Sequence, residues 1–224
     1  MRRLGQPDVI RSAGLAALIT TLLCYPRLSL WAQRADPMWF LESMIFLGTM
    51  FLWGFVFAWH AEYSRRPVFI TRLETRLWGW ATAGAILVAA LLYLFLDPSL
   101  RQANPQDFPA NFGEWLAMTL FHLAFVQLFL VYAPFAWLIR LFQNRSVAII
   151  LTVLFGVMVL GLKVRSATTP VPSGLLAMLV ILRIGSGILS VLLYLRGGAL
   201  LAWWWAGLIE ARYLLTLGDG HPGP

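Results

Sequence analysis

One cysteine, Cys24, is all the chain offers for thiol chemistry, so an internal disulfide and any Cys-x-x-Cys metal or redox site are excluded. Charge is scarce too. Asp, Glu, Lys and Arg make up 12% of the residues against 60% hydrophobic, and mean hydropathy is +0.75. That balance excludes a soluble domain and leaves no stretch polar enough for a second folded unit. There are three histidines, and no His-Glu-x-x-His, His-x-x-x-Asp or Glu-Glu pair falls in an apolar run. Repeats at solenoid spacing and low-complexity segments are absent as well.

What remains is a series of long apolar runs, seven in all. The first is Arg11–Tyr25, closed by Pro26-Arg27, and the second is Pro37–His60. The third, Leu77–Leu96, is stopped by Asp97-Pro98, and the fourth, Glu114–Ile139, carries a kink at Pro134. Ser146–Leu162, Leu175–Leu195 and Tyr194–Leu217 complete the set. Runs near 20 residues suffice to cross a bilayer. The expected fold is therefore all-α, a polytopic membrane helix bundle of about seven transmembrane helices forming one integral domain over residues 1–224. LITTLLC has the outline of a lipoprotein signal, but Leu23 is bulky where a small residue is needed, so residues 12–26 read as a retained helix. The loop Asp97–Gly113 reads as a solvated connector, and the tail 218–224 as disordered.

The net charge of +7 would suggest nucleic acid in a soluble chain. Here the basic residues lie between apolar runs, which points to anionic lipid and excludes nucleic acid as a partner. With the N-terminus cytoplasmic, that side holds ten Lys or Arg and the other side six, so the orientation expected is N-in and C-out. Tryptophans at span ends form the usual interfacial belt. Trp203, Trp204 and Trp205 differ: three consecutive indoles point around most of a helix, so at least one meets protein, lipid or pigment.

The last span carries a row of small residues at spacing four, Gly198, Ala202 and Ala206, with Glu210 next in the row. Such rows let membrane helices pack closely. A carboxylate at that depth needs a partner, and Arg183 is the expected one. It lies 12 residues before Leu195, while Glu210 lies 12 residues after Gly198, so antiparallel neighbours bring both to one depth. An unpaired arginine there would cost about 2.5–3.5 kcal/mol. Arg212 is expected to snorkel outward or to meet Glu42. His60, with Glu62, reads as an interfacial polar cap. His122 has two readings: a hydrogen bond to a backbone carbonyl or to Gln127, or an axial ligand to a haem or chlorophyll-type pigment.

A family resemblance appears in residues 130–217. YAPFAWLIR, SVAIILTVLFGVMV and the run Pro172–Ala211 follow the order and wording of the CPBP family, the CAAX prenyl protease and bacteriocin-processing (Abi) intramembrane proteases. Leu193-Tyr194-Leu195-Arg196-Gly197-Gly198-Ala199-Leu200 is similar to that family's phrase between its sixth and seventh helices. The family's catalytic Glu-Glu pair falls on Phe135 and Ala136, leaving only Arg140. Its Phe-x-x-x-His falls on Phe155 and Val159, and its last His with the Asn or Asp after it on Gly207 and Ala211. The resemblance thus implies the scaffold without the groups that activate water. It implies a catalytically inactive structural or assembly subunit of a larger membrane complex, in contact with lipids and other membrane subunits. The expected location is a bacterial inner membrane. Two alternatives stay open, a pigment- or haem-binding subunit using His122 and an active protease using Glu210.

Overall fold

The computed structural model describes residues 5–30, 36–64, 67–70, 74–165 and 172–217. These are helical apart from short connectors, with no strand among the described residues. Six helical stretches are long and apolar enough to cross a membrane, as an integral membrane protein requires. The tail 218–224 lies outside the described residues.

Helix α1, Pro7–Ser29, opens with Pro7 in its first turn, where the missing N–H is harmless. It runs through Pro26 to Ser29, longer at both ends than the apolar run implied. Helix α2, Met38–Trp59, follows and packs along α1. Trp53 of α2 donates its indole N–H to Thr20 Oγ1 of α1 at 3.0 Å. A π-turn, His60–Ser64, ends that stretch. Helix α3, Thr75–Leu91, passes through a second π-turn, Leu92–Leu96, into α4, Asp97–Ala103. Asp97-Pro98 therefore does not stop the span, contrary to the sequence reading. Pro98 falls in the first turn of α4, and the wide turn before it absorbs the register change.

Helix α5, Phe112–Phe121, begins with a reciprocal cap. Asn111 Oδ1 accepts from the Glu114 N–H at 2.9 Å, and Glu114 Oε2 accepts from the Ala110 N–H at 2.8 Å. Two π-turns, His122–Val126 and Leu128–Tyr132, then lead into α6, Ala133–Phe142, with Pro134 in its first turn. Gln143, at φ 53°, ends α6 in the left-handed region. Asn144 Oδ1 caps α7, Arg145–Arg165, by accepting from the N–H groups of Ser146 and Val147.

Helix α8, Ser173–Glu210, and the short α9, Tyr213–Leu217, form a 45-residue stretch, about twice the length that crosses a bilayer. The break is Gly198, at φ 72° and ψ −171°, a region open essentially to glycine alone. Arg183 and Glu210 line one cavity, whereas an unbroken helix would hold them about 40 Å apart. The two arms of α8 therefore fold back on each other at Gly198. The first arm packs on α7, with Gly187 against Val153, and the second on α3, with Gly84 leaving room for Trp205. So Gly198 is not the first member of a packing row. It is the turn itself, and Ala202 and Ala206 continue as buried positions on the second arm.

The connector before α3 seals this turn. Val68 is buried, its carbonyl accepts from the Ala199 N–H at 3.0 Å, and a Cβ on Gly198 would lie 2.6 Å from the same oxygen. Phe69 packs at a tilt against Trp53 and Trp203. The core beneath is aromatic: Tyr132 stacks on Tyr194 with centroids 4.6 Å apart, and Phe135 meets Trp59 edge-on. His60 Nε2 and the Tyr194 hydroxyl are 2.9 Å apart, and Arg140 pairs with Glu62 at 3.3 Å. Of the three consecutive indoles, Trp205 is buried, Trp203 half-buried, and Trp204 exposed with its N–H on Thr82.

Candidate functional site

At the end of the bundle holding Ser29, Ala103 and Arg165, the second arm of α8 terminates among ionisable side chains from several other elements. Glu210 is 8% exposed, and its Oε1 lies 3.0 Å from His122 Nδ1. A neutral imidazole fits both neighbours as one tautomer. Nδ1–H donates to the carboxylate, and Nε2 accepts from the Gln127 amide at 3.3 Å. Both ring nitrogens are thus engaged by protein groups, including the Gln127 partner named among the sequence readings. An axial bond to a macrocycle would have to displace one of them.

Arg212 is held through all three of its side-chain nitrogens. Its Nε donates to Asp97 Oδ2 at 3.0 Å, Nη1 to the Ile209 carbonyl at 2.9 Å, and Nη2 to the Tyr213 hydroxyl at 2.6 Å. The guanidinium also lies over the Tyr213 ring, 4.0 Å from its centroid. A cation on the last carbonyls of a helix complements its dipole. The Trp115 indole donates to the Glu210 carbonyl at 3.0 Å and closes the same helix end. Arg212 therefore neither snorkels nor meets Glu42, because Asp97, 4% exposed, sits at the same level. The segment read as a solvated connector belongs to the site: Asp97 anchors Arg212, Asp107 pairs with Lys163 at 2.9 Å, and Leu100, Asn104 and Phe108 line the cavity.

The expected Arg183–Glu210 pair is not formed. No ion pair within 4 Å links them, and among the described residues Arg183 makes no ion pair or side-chain hydrogen bond. The residue count placed the two at one depth, and they do line one cavity. Their azimuths differ: Glu210 turns to His122, while Arg183 turns to α7, where a Cβ on Gly156 would stand 3.2 Å from its Nε and Nη2.

Two adjoining cavities result. The larger, about 440 Å³, is bounded by Arg27, Asp107, His122, Lys163, Glu210 and Tyr213. The smaller, about 180 Å³, reaches inward to Arg183, Gln127, Ser186 and Ser190. His122, Leu160, Leu179, Glu210 and Arg212 belong to both. Buried Gln127 leaves its Oε1 without a hydrogen-bond partner, and so does Asp97 Oδ1. On the opposite side of α7, an apolar hollow of about 870 Å³ lies between Phe51, Phe55, Phe129, Trp137, Leu154 and Met158.

The positions at which the resemblance would place catalytic groups are apolar. Phe135 and Ala136 are 1% and 0% exposed within the aromatic core, and Gly207 faces Leu123. No group of three or more His, Cys, Asp or Glu among the described residues has the arrangement of a metal centre. Sequence reasoning missed the His122–Glu210, Asp97–Arg212 and Lys163–Asp107 pairs. Each joins distant spans, and its one local signal is an ionisable residue inside or at the end of an apolar run. No protein-family model matches the chain, and no curated protein or solved structure matches it.

Proposed function

We propose that the chain is a holding subunit of a membrane complex: it binds the polar part of an amphipathic membrane component and does not cut it. In this reading the chain crosses the bilayer seven times, the folded-back arms of α8 counting as two crossings. The Lys and Arg distribution favours a cytoplasmic N-terminus. The charged cavities then lie at the non-cytoplasmic end.

The observation that carries the reading is the pair of adjoining cavities, about 440 and 180 Å³, that bring charged and hydrogen-bonding groups deep between apolar helices. Intramembrane ionisable groups are costly and rarely occur without a use. The larger volume lies in the range of small-molecule and headgroup pockets. Against catalysis stand Phe135, Ala136, Val159, Gly207 and Ala211, which supply no acid or imidazole where an intramembrane protease of the resembled family would carry them. The apolar hollow beside Phe129 and Trp137 is a second face, open to lipid or to a neighbouring subunit.

Native mass spectrometry of the detergent-solubilised protein tests the reading. Leu179 lines both cavities, so Leu179→Trp should plug them. The expected result is an amphiphile retained by the wild type and lost from the variant. A wild type as bare as the plugged variant would refute the proposal.

One observation favours a second reading, that of a hydrolase. The Glu210–His122 contact of 3.0 Å is the kind of carboxylate–imidazole pair that activates water. Its weakness is Gln127, whose amide occupies the Nε2 lone pair that a base would need. Cleavage of prenylated or leader peptides that disappears in Glu210→Gln would establish it.

A further inference from the structure

We propose that Arg183, together with the Ser190 hydroxyl, forms an intramembrane oxyanion site, with the acceptor Gln127 Oε1 beside it, and that its ligand is the phosphodiester or carboxylate group of an anionic amphiphile. The inference rests on the holding-subunit reading and specifies what the inner cavity holds.

The charges around the two cavities leave one sign over. Each carboxylate has a partner: Glu210 has His122, Asp107 has Lys163, and Asp97 has Arg212. Among the cations, Lys163 and Arg212 are spent on those acids. Arg183 in the inner cavity and Arg27 at the outer one make no ion pair or side-chain hydrogen bond among the described residues. The unsatisfied charge is positive at both ends, so the complement is an anion.

The inner cavity also has the form of a binding site. Gly156 leaves out the side chain that would crowd the guanidinium, so the Arg183 head lies close against α7 while lining the inner cavity. A guanidinium presents several N–H groups in one plane, which suits bidentate contact with two oxygens of a carboxylate or phosphate. Ser190, 6% exposed, lines the same space, and its hydroxyl makes no hydrogen bond among the described residues. Gln127 is 7% exposed, and its Oε1 is an orphaned acceptor bordering the cavity, ready for a headgroup hydroxyl. The walls between these groups are Leu179, Leu182, Ile209 and Val88, which suit a chain attached to the anion better than a hydrated ion.

The alternative occupant is water alone. At about 30 Å³ each, roughly six waters would fill the inner cavity. Free phosphate is the other source of the same chemistry. The experiment separates these cases with three probes offered to the full chain in detergent: phosphatidylglycerol, diacylglycerol with the same acyl chains, and inorganic phosphate. Binding is read by native mass spectrometry and by the shift in unfolding temperature, since a ligand of the folded state raises it.

For the wild type we expect phosphatidylglycerol to bind at least tenfold more tightly than diacylglycerol, with no shift from phosphate. Arg183→Leu should abolish that preference while keeping diacylglycerol binding, and Arg183→Lys should restore part of it. Because Arg183 has no partner to orphan, Arg183→Leu without lipid should unfold no earlier than the wild type. A preference unchanged in Arg183→Leu overturns the site yet leaves the holding reading intact. Diacylglycerol and phosphatidylglycerol binding equally, both lost in Leu179→Trp, has the same meaning. A shift from phosphate alone, absent in Arg183→Leu, overturns the amphiphile as the ligand.

Discussion

His122 Nδ1 and Glu210 Oε1 lie 3.0 Å apart and join the start of a π-turn on the fourth span to the last residue of the helical hairpin. A π-turn adds a residue per turn and rotates everything beyond it. Here it sets Gln127 against Nε2 of the His122 ring while Nδ1 meets Glu210, and the carboxylate that sequence counting assigned to Arg183 goes to an imidazole.

A double-mutant cycle in detergent should therefore give a coupling of about 0.5–3 kcal/mol for His122→Ala with Glu210→Ala. The corresponding cycle for Arg183→Ala with Glu210→Ala should stay within about 0.5 kcal/mol of additivity. The reverse ranking, measured by reversible denaturation, would mean that Glu210 turns to Arg183 in solution.

The Asp97–Arg212 pair should be costly to break and cheaper to remove whole. Both side chains are buried, at 6% and 8% exposure. Asp97→Ala alone leaves a buried guanidinium short of its acid and should cost about 3–5 kcal/mol. Asp97→Leu combined with Arg212→Leu should cost clearly less, although it forfeits the Ile209 cap. Equal losses for the single and double variants would contradict the geometry.

Gly198→Ala should destabilise the hairpin by at least about 1–3 kcal/mol, since alanine avoids that backbone region and its Cβ would meet the Val68 carbonyl. Gly185→Ala is the control: its Cβ meets nothing within 4 Å, and alanine is the better helix former. Thermal unfolding of the two variants should move in opposite directions. A neutral Gly198→Ala would mean that the turn is not held in this conformation.

Much of the architecture was legible because hydropathy and length speak directly to membrane spans. The antiparallel arms of α8 were legible too, from the short Arg196-Gly197 connection between apolar runs. Residue counting placed Arg183 and Glu210 at the same depth, and they share a cavity. What counting along an ideal helix could not supply was azimuth. Asp97-Pro98 read as a stop because proline breaks α-helical hydrogen bonding, but a π-turn upstream lets the span continue and turns Asp97 inward. Gly198 read as a packing residue from its spacing to Ala202 and Ala206. Its own backbone, which no side-chain pattern reveals, makes it the turn.

The most direct test of the holding role places a photo-reactive amino acid at Leu160, which lines both cavities, and at Ile181, which is 68% exposed on the outer face. Irradiation in intact membranes is followed by mass analysis of the adducts. A discrete amphiphile is expected at Leu160, distinct from the bulk-lipid profile at Ile181, with its polar group uncleaved. The same bulk profile at both positions, or no adduct at Leu160, would contradict it.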